Sequence, residues 1–283
     1  VSEESRRGAS PRVRRRRALA AGVGLVIVAV ITVVAVSALT GPNSTVATAG
    51  HSPASTSAST APTEPPRPSP TASPEPAPAP TFDRAAHSID DPNSIWVVVD
   101  KLRPLNPTDY APADLVDVPV PFANPPKLRQ EASDAVVALF AAFTAETGLA
   151  LQSQSAYRSF EAQTRVYDGD VANLGQAGAD LSTARPGTSE HQTGLTIDIS
   201  AQPPQCSLDA CFGDTPHGQW LAANAWRFGF LLRYPADKVG ITGYEFEPWH
   251  FRYIGIDLAT EMHNTNVSTL EEFFGLPAAP SYG

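Results

Sequence analysis

From Thr40 to Pro80 the chain cannot fold, and that limit decides where a folded domain can lie. The stretch is Ser, Thr, Ala and Pro, with ten prolines between Pro53 and Pro80. It holds too few apolar side chains to offset the entropy of ordering, so it reads as a disordered linker. Proline-rich chain is stiff at about 3.1 Å per residue, so the 28 residues from Pro53 to Pro80 reach up to ~87 Å. No aromatic or spaced basic anchor marks the stretch as a ligand for proline-binding domains.

The segment before the linker has a different logic. Seven of the 20 Lys and Arg residues lie in the first 17 positions, and Ala18 to Leu39 then runs for 22 residues without a charge. As a helix that run spans ~33 Å, the thickness of a bilayer core. It is long for a cleaved signal, although Val36-Ser37-Ala38 and Ala47-Thr48-Ala49 offer small-residue cleavage sites. The expectation is a basic cytoplasmic arm at 1–17, a transmembrane helix at 18–39, the linker at 40–80 and a folded domain at 81–283. The arginines keep their end inside, which places the domain outside the cell membrane on a single-pass anchor. From Thr81 onward 12 Lys and Arg face 25 Asp and Glu, which argues against nucleic acid as a partner.

Within the domain the apolar pattern is mixed. Leu128 to Thr147 reads as a helix, with Leu128, Ala132, Val136, Leu139 and Phe143 at three- and four-residue spacing and Gly148 as its stop. A strand is expected through Leu149 to Tyr157. Ser159 then caps a helix to about Leu174, Thr215-Pro216 opens a third, and Ser268 with Glu271 forms a capping box for a last short one. Cys206 and Cys211 are the only cysteines; outside the membrane their close spacing favours a disulfide, and no second Cys or His pair at knuckle spacing supports a metal knuckle.

The chemistry concentrates in two stretches. After Gly194, Leu195, Ile197 and Ile199 alternate with Thr196, Asp198 and Ser200, which on a strand sends the aliphatics to the core and Asp198 to the opposite face, beside His191. In Glu245 to Tyr253, Trp249, Phe251 and Tyr253 share one face, and His250 and Arg252 share the other. Two histidines and one carboxylate leave a metal with an open position, and Glu247 is a second carboxylate able to take a proton from an attacking water. Bland readings compete: each His as a structural residue, Asp198 as a turn cap, Glu247 as surface. His51, His87, His217 and His263 take the bland reading, with His87 preceding the domain.

These residues resemble a known family. Ser189-x-His191-x-x-Gly194-x-x-x-Asp198 followed by Glu247-x-x-His250 is similar to the two-part zinc signature of VanY-type D-alanyl-D-alanine carboxypeptidases, metallopeptidases grouped with VanX dipeptidases and the hedgehog fold. Ser155-Ala156-Tyr157-Arg158-Ser159 with Gln163 resembles the family's substrate-binding segment, and the likeness runs from about Ile95 to Glu272. Thr196 departs from it, standing where an alanine is common.

The resemblance implies a compact α+β domain with a mainly antiparallel sheet flanked by helices. It implies one zinc ion on His191, Asp198 and His250, and Glu247 as catalytic base. It implies Arg158, Ser189, Ser155, Gln163 and Tyr157 around a peptidoglycan stem peptide, whose terminal D-alanine is removed. Arg158 suits either the substrate carboxylate or the oxyanion, or forms a structural ion pair.

Three alternatives stand beside that reading: an L,D-carboxypeptidase on tetrapeptide stems, an iron oxygenase, and a catalytically inactive wall-binding module. The long His191 to Asp198 spacing disfavours iron. Retention of all four zinc and base residues disfavours the module. A serine-type enzyme is excluded, since the chain has no Ser-x-x-Lys or Lys-Thr-Gly.

Overall fold

The strap of chain from Phe82 to about Pro112 has little regular structure, yet Trp96, Val97, Val98 and Val99 are all buried. The computed structural model describes residues 82–283; the basic arm, the apolar run and the linker lie outside the described residues. His87, expected to precede the domain, belongs to it, with its ring edge-on to Trp96 at 4.7 Å.

Strand β1 (Leu115–Asp117) pairs antiparallel with β2 (Lys127–Arg129), and helix α1 (Gln130–Thr147) follows at once. The helix starts two residues later than the apolar spacing suggests, because Leu128 is held in β2. Gly148 ends it at φ 71°, and β3 (Ala150–Ser155) leaves from there. Helix α2 (Phe160–Ser182) is capped by Ser159, whose hydroxyl accepts from Ala162 N–H. It runs past Leu174 because Gly175 absorbs a kink (φ 73°, ψ 164°) and Ala179 beyond it is buried.

Then come β4 (Thr196–Gln202), α3 (Pro216–Asn224), β5 (Phe230–Leu232), the single turn α4 (Val239–Thr242), β6 (His250–Tyr253), α5 (Ile256–Asn264) and α6 (Leu270–Phe274). The cap of α6 is Thr269 rather than Ser268: its hydroxyl accepts from Glu272 N–H and bonds the Glu272 carboxylate. Glu271 cannot close the expected box because it turns inward, fully buried.

The main sheet is antiparallel throughout, in the order β3-β4-β6-β5, with helices around it. This is an α+β domain. Leu139, Phe143, Ile197, Ile199, Phe230 and Phe251 form its core with no more than 1% exposure, each contributing roughly 1.5–3 kcal/mol of burial. The alternation in β4 sends one face there as expected, but the other face is closed too: Thr196, Asp198 and Ser200 are all buried. The site therefore sits under cover rather than on an open sheet face. Thr196 is opposite Arg252, and its hydroxyl finds no hydrogen-bond partner.

Candidate active site

The histidines and the aspartate converge because of pairing and one turn. β4 and β6 set Asp198 directly opposite His250, and cross-strand partners share a face. His191 sits in a 3₁₀ turn, Glu190–Thr193, that ends on Gly194 at φ 68°. A Cβ at Gly194 would lie 2.8 Å from Leu115 and 3.1 Å from Arg129, so glycine alone fits both that angle and that approach.

His191 Nε2 lies 3.3 Å from Asp198 Oδ2, and His250 Nδ1 lies 3.4 Å from Asp198 Oδ1. One donor atom from each of the three residues falls within 4.8 Å of the others, and all three side chains are buried. Asp198 Oδ1 has no hydrogen-bond partner. A buried carboxylate oxygen left so is costly, and a cation shared with the two nitrogens removes the cost. The donor set fits zinc: bonds of about 2.0–2.1 Å at tetrahedral angles put neighbouring ligand atoms ~3.3 Å apart.

The far nitrogens are occupied. His191 Nδ1 donates to the Ala156 carbonyl at 2.7 Å, and His250 Nε2 faces Glu190 Oε2 at 3.3 Å. A proton held there leaves each near nitrogen a lone pair. Burial lowers the His191 pKa against the pull of Asp198. Burial also opposes charge on His250, but the carboxylates of Asp198, Glu190 and Glu247 outweigh it and raise its pKa well above the ordinary value. The carboxylates around the ring favour a positive charge beside it.

Glu247 stands beside the group without joining it. Its N–H donates to the Tyr234 carbonyl and its own carbonyl accepts from His250 N–H, both at 3.1 Å. Its Oε2 is 3.4 Å from His250 Nδ1, outside the three-residue cluster. Burial pushes its carboxyl up, against the opposing effect of His250.

Ser155 is opposite Asp198 at the end of β3, past a bulge. Arg158 N–H donates to the His191 carbonyl at 3.2 Å, and its guanidinium donates to Gln163 Oε1 and Ser155 Oγ, each at 3.0 Å. It forms no ion pair among the described residues, and its charge is felt at both His191 and Glu247. A structural ion pair is thus not its role here. Gln163 is fully buried and donates to the Ala184 carbonyl at 2.7 Å, so it stands behind Arg158. Ser189 is buried two residues before His191, and Tyr157 is half-buried with its N–H on the Lys127 carbonyl.

Cys206 and Cys211 are joined in a disulfide, with Cα atoms 5.6 Å apart. The following Gly213 lets the Phe246 ring and Pro248 approach: a Cβ there would be 3.0 Å from the ring and 3.3 Å from Pro248. The loop therefore abuts the two residues that flank Glu247. His217 is buried and stacked on Phe143 at 5.4 Å, while exposed His263 stacks on Trp226 at 4.0 Å.

Sequence reasoning did not join the group that pairs behind the histidines: Glu190, Arg233, Arg252 and Glu271, with no more than 1% side-chain exposure each. The signal was available. Phe230-Leu231-Leu232-Arg233 and Phe251-Arg252-Tyr253 place arginines in apolar strand segments, where a guanidinium requires a buried partner.

Comparison with known proteins agrees with this geometry. The profile of the VanY family, D-alanyl-D-alanine carboxypeptidase, matches residues 125–256, which include His191, Asp198, Glu247 and His250. YodJ of Bacillus subtilis (strain 168), a carboxypeptidase homologue, is 41% identical over 192 residues, covering 66% of this chain and 69% of that protein. The solved LdcB LD-carboxypeptidase is 40% identical with a TM-score of 0.60, over 65% of this chain and 87% of its own. The vancomycin-resistance D,D-pentapeptidase VanY of a VanB-type cassette, solved with Zn(II), is 33% identical with a TM-score of 0.54, over 63% of this chain and 97% of its own. The chain belongs to the VanY family of carboxypeptidases.

Proposed function

We propose that the domain is a zinc-dependent D-alanyl-D-alanine carboxypeptidase that removes the terminal D-alanine from peptidoglycan stem peptides. His191, Asp198 and His250 hold one zinc ion, and Glu247 is the base. The observation that carries this is the convergence of His191, Asp198 and His250, all buried, with one Asp198 oxygen unpartnered and a further carboxylate alongside. Zinc, when bound, supplies the Lewis acidity that allows amide hydrolysis near neutral pH.

The protein's own groups do the rest. Glu247 takes a proton from the attacking water and returns it to the departing amine as the C–N bond breaks. The water oxygen ends on the new carboxylate of the shortened peptide. Arg158, braced by Ser155 and Gln163, offers a fork of N–H donors to the substrate's terminal carboxylate; the same fork suits the tetrahedral oxyanion. Ser189 and Tyr157 complete the polar lining.

The domain is held outside the cell membrane by residues 18–39 and spaced from it by residues 40–80, a reading supported by the arginine cluster and the uncharged run. Protease added to intact spheroplasts removes such a domain; protection until lysis would contradict the topology.

L,D-carboxypeptidase activity on tetrapeptide stems is the second reading, favoured by the higher identity to LdcB (40%) than to VanY (33%). Incubating the purified protein with pentapeptide and tetrapeptide stems, with and without chelator, tests both. Loss of a terminal D-alanine from the pentapeptide alone supports the first reading. Loss from the tetrapeptide alone supports the second, and release that survives complete metal removal sinks both.

A further inference from the structure

Glu190 follows Ser189 in the turn that carries His191, and nothing about its position in the sequence gives it a task. Its side chain is fully buried and meets His250 at Nε2, the ring nitrogen not turned toward Asp198. Oε1 accepts from Arg233 Nε at 2.9 Å and from Arg252 Nη1 at 3.0 Å, while Oε2 faces His250 Nε2 at 3.3 Å.

Both arginines are fixed in turn. Arg233 forks onto Glu271, Nη1 to Oε2 at 3.0 Å and Nη2 to Oε1 at 2.6 Å. Arg252 Nη2 donates to the carbonyls of Ile95 and Val97 in the strap. Two positive and two negative groups balance inside the fold, and the one carboxylate oxygen not facing a guanidinium is aimed at an imidazole.

We infer that Glu190 is a positioning residue for the metal site: it holds the Nε2 proton of His250 and thereby turns the Nδ1 lone pair toward the ion. The inference rests on the zinc reading. It also leaves Glu190 unable to serve as the base, since its oxygens are engaged by Arg233, Arg252 and His250.

The test compares two charge-removing variants of the full chain, Glu190→Gln and Glu271→Gln, by zinc affinity in competition with a chromophoric chelator and by thermal unfolding of the metal-free protein. Each removes one negative charge from the same buried group, so a purely structural role makes them alike: both less stable, neither altered in zinc affinity. The positioning role separates them. Glu190→Gln weakens zinc binding by about 10- to 100-fold, whereas Glu271→Gln, which does not touch His250, leaves it unchanged.

Glu190→Asp serves where Glu190→Gln does not fold. It keeps the charge but draws the carboxylate back by one methylene, and the same loss of zinc affinity is expected. In ¹⁵N-histidine spectra of the wild type, the His250 proton resides on Nε2. Wild-type zinc affinity in Glu190→Gln or Glu190→Asp, or an equal loss in Glu271→Gln, overturns the inference while leaving the zinc reading intact. A wild-type protein that takes up no zinc overturns both.

Discussion

The two nitrogens of His250 look onto opposite electrostatic regimes. Behind Nε2, Glu190 is neutralised by Arg233 and Arg252, and Arg233 by Glu271, in a group whose side chains are at most 1% exposed. In front of Nδ1, Asp198 and Glu247 face the ring with no guanidinium bonded to either, and one Asp198 oxygen is unpartnered. The same fold that balances its charges behind the ring leaves them unbalanced in front. Since burying unpaired charge is costly, the front is a place prepared for a cation and the back is the frame that aims it.

The largest expected effects are at the front, and they separate holding a metal from moving a proton. His191→Ala, Asp198→Ala and His250→Ala each remove a donor and should lose both zinc and activity. Glu247→Gln keeps the size of the side chain but cannot accept a proton. It should keep stoichiometric zinc and lose about 100- to 10,000-fold in turnover. Metal analysis beside steady-state rates checks this. Zinc loss in Glu247→Gln as complete as in the histidine variants would make Glu247 a ligand, and near wild-type turnover with full zinc would remove it as the base.

Behind the ring the effect falls on stability. Arg233→Met strands Glu271 and leaves Glu190 with Arg252 alone, and breaking a buried pair from one side costs roughly 3–5 kcal/mol. The double variant Arg233→Met/Glu271→Leu restores balance, because Glu190 and Arg252 still pair. Urea unfolding should find the double variant more stable than the single one. A single variant within 1 kcal/mol of wild type would show that the charges behind the ring are not tightly balanced.

This division explains what could be read from the chain beforehand. The front was legible because its residues are close in sequence or repeat with a period: Gly194 sets the turn, the alternation from Leu195 sets the strand, and Glu247 lies three residues before His250. The back was not, because its pairs join residues 38 to 62 apart, across elements whose adjacency depends on the sheet order. The misplaced cap of α6 is the same failure: Glu271 satisfies the capping-box pattern locally, but the buried Arg233 claims it. Closure of the second face of β4 was hidden likewise, since alternation reports one apolar face and is silent about polar residues buried by long-range pairing.

A smaller effect is expected at the disulfide loop, whose following Gly213 abuts Phe246 and Pro248 on either side of Glu247. No sulfur belongs to the metal cluster. Cys206→Ser/Cys211→Ser should therefore keep full zinc and lose on the order of 2 kcal/mol in stability, the modest yield of a short closed loop. Loss of stoichiometric metal with the fold intact by circular dichroism would show that a cysteine reaches the ion.

The smallest effect probes whether the charges behind the ring are complete as they stand. Asp100 lies at the edge of that group; Oδ1 accepts from Leu102 N–H at 2.7 Å, and the buried Oδ2 has no partner. Burial is the main cause of its raised pKa, and Glu271 adds to it, against the Leu102 hydrogen bond, Arg233 and Arg103. A folded-state pKa above the unfolded value means the protonated acid suits the fold. That contribution is fully present below the unfolded pKa and is lost as pH rises through the folded one, so at pH 7 the ionised Asp100 is a burden. Asp100→Asn keeps the acceptor for Leu102 and sheds the charge. It should raise stability at pH 7 by about 1 kcal/mol, which for a domain of this size is ~2–4 °C in Tm. Its advantage over wild type should shrink as pH falls into the carboxylate range, where Asp100 becomes neutral too. A variant less stable than wild type at pH 7 would mean that Arg233 draws on Asp100 as well as on its two glutamates, and the charges behind His250 would then number five rather than four.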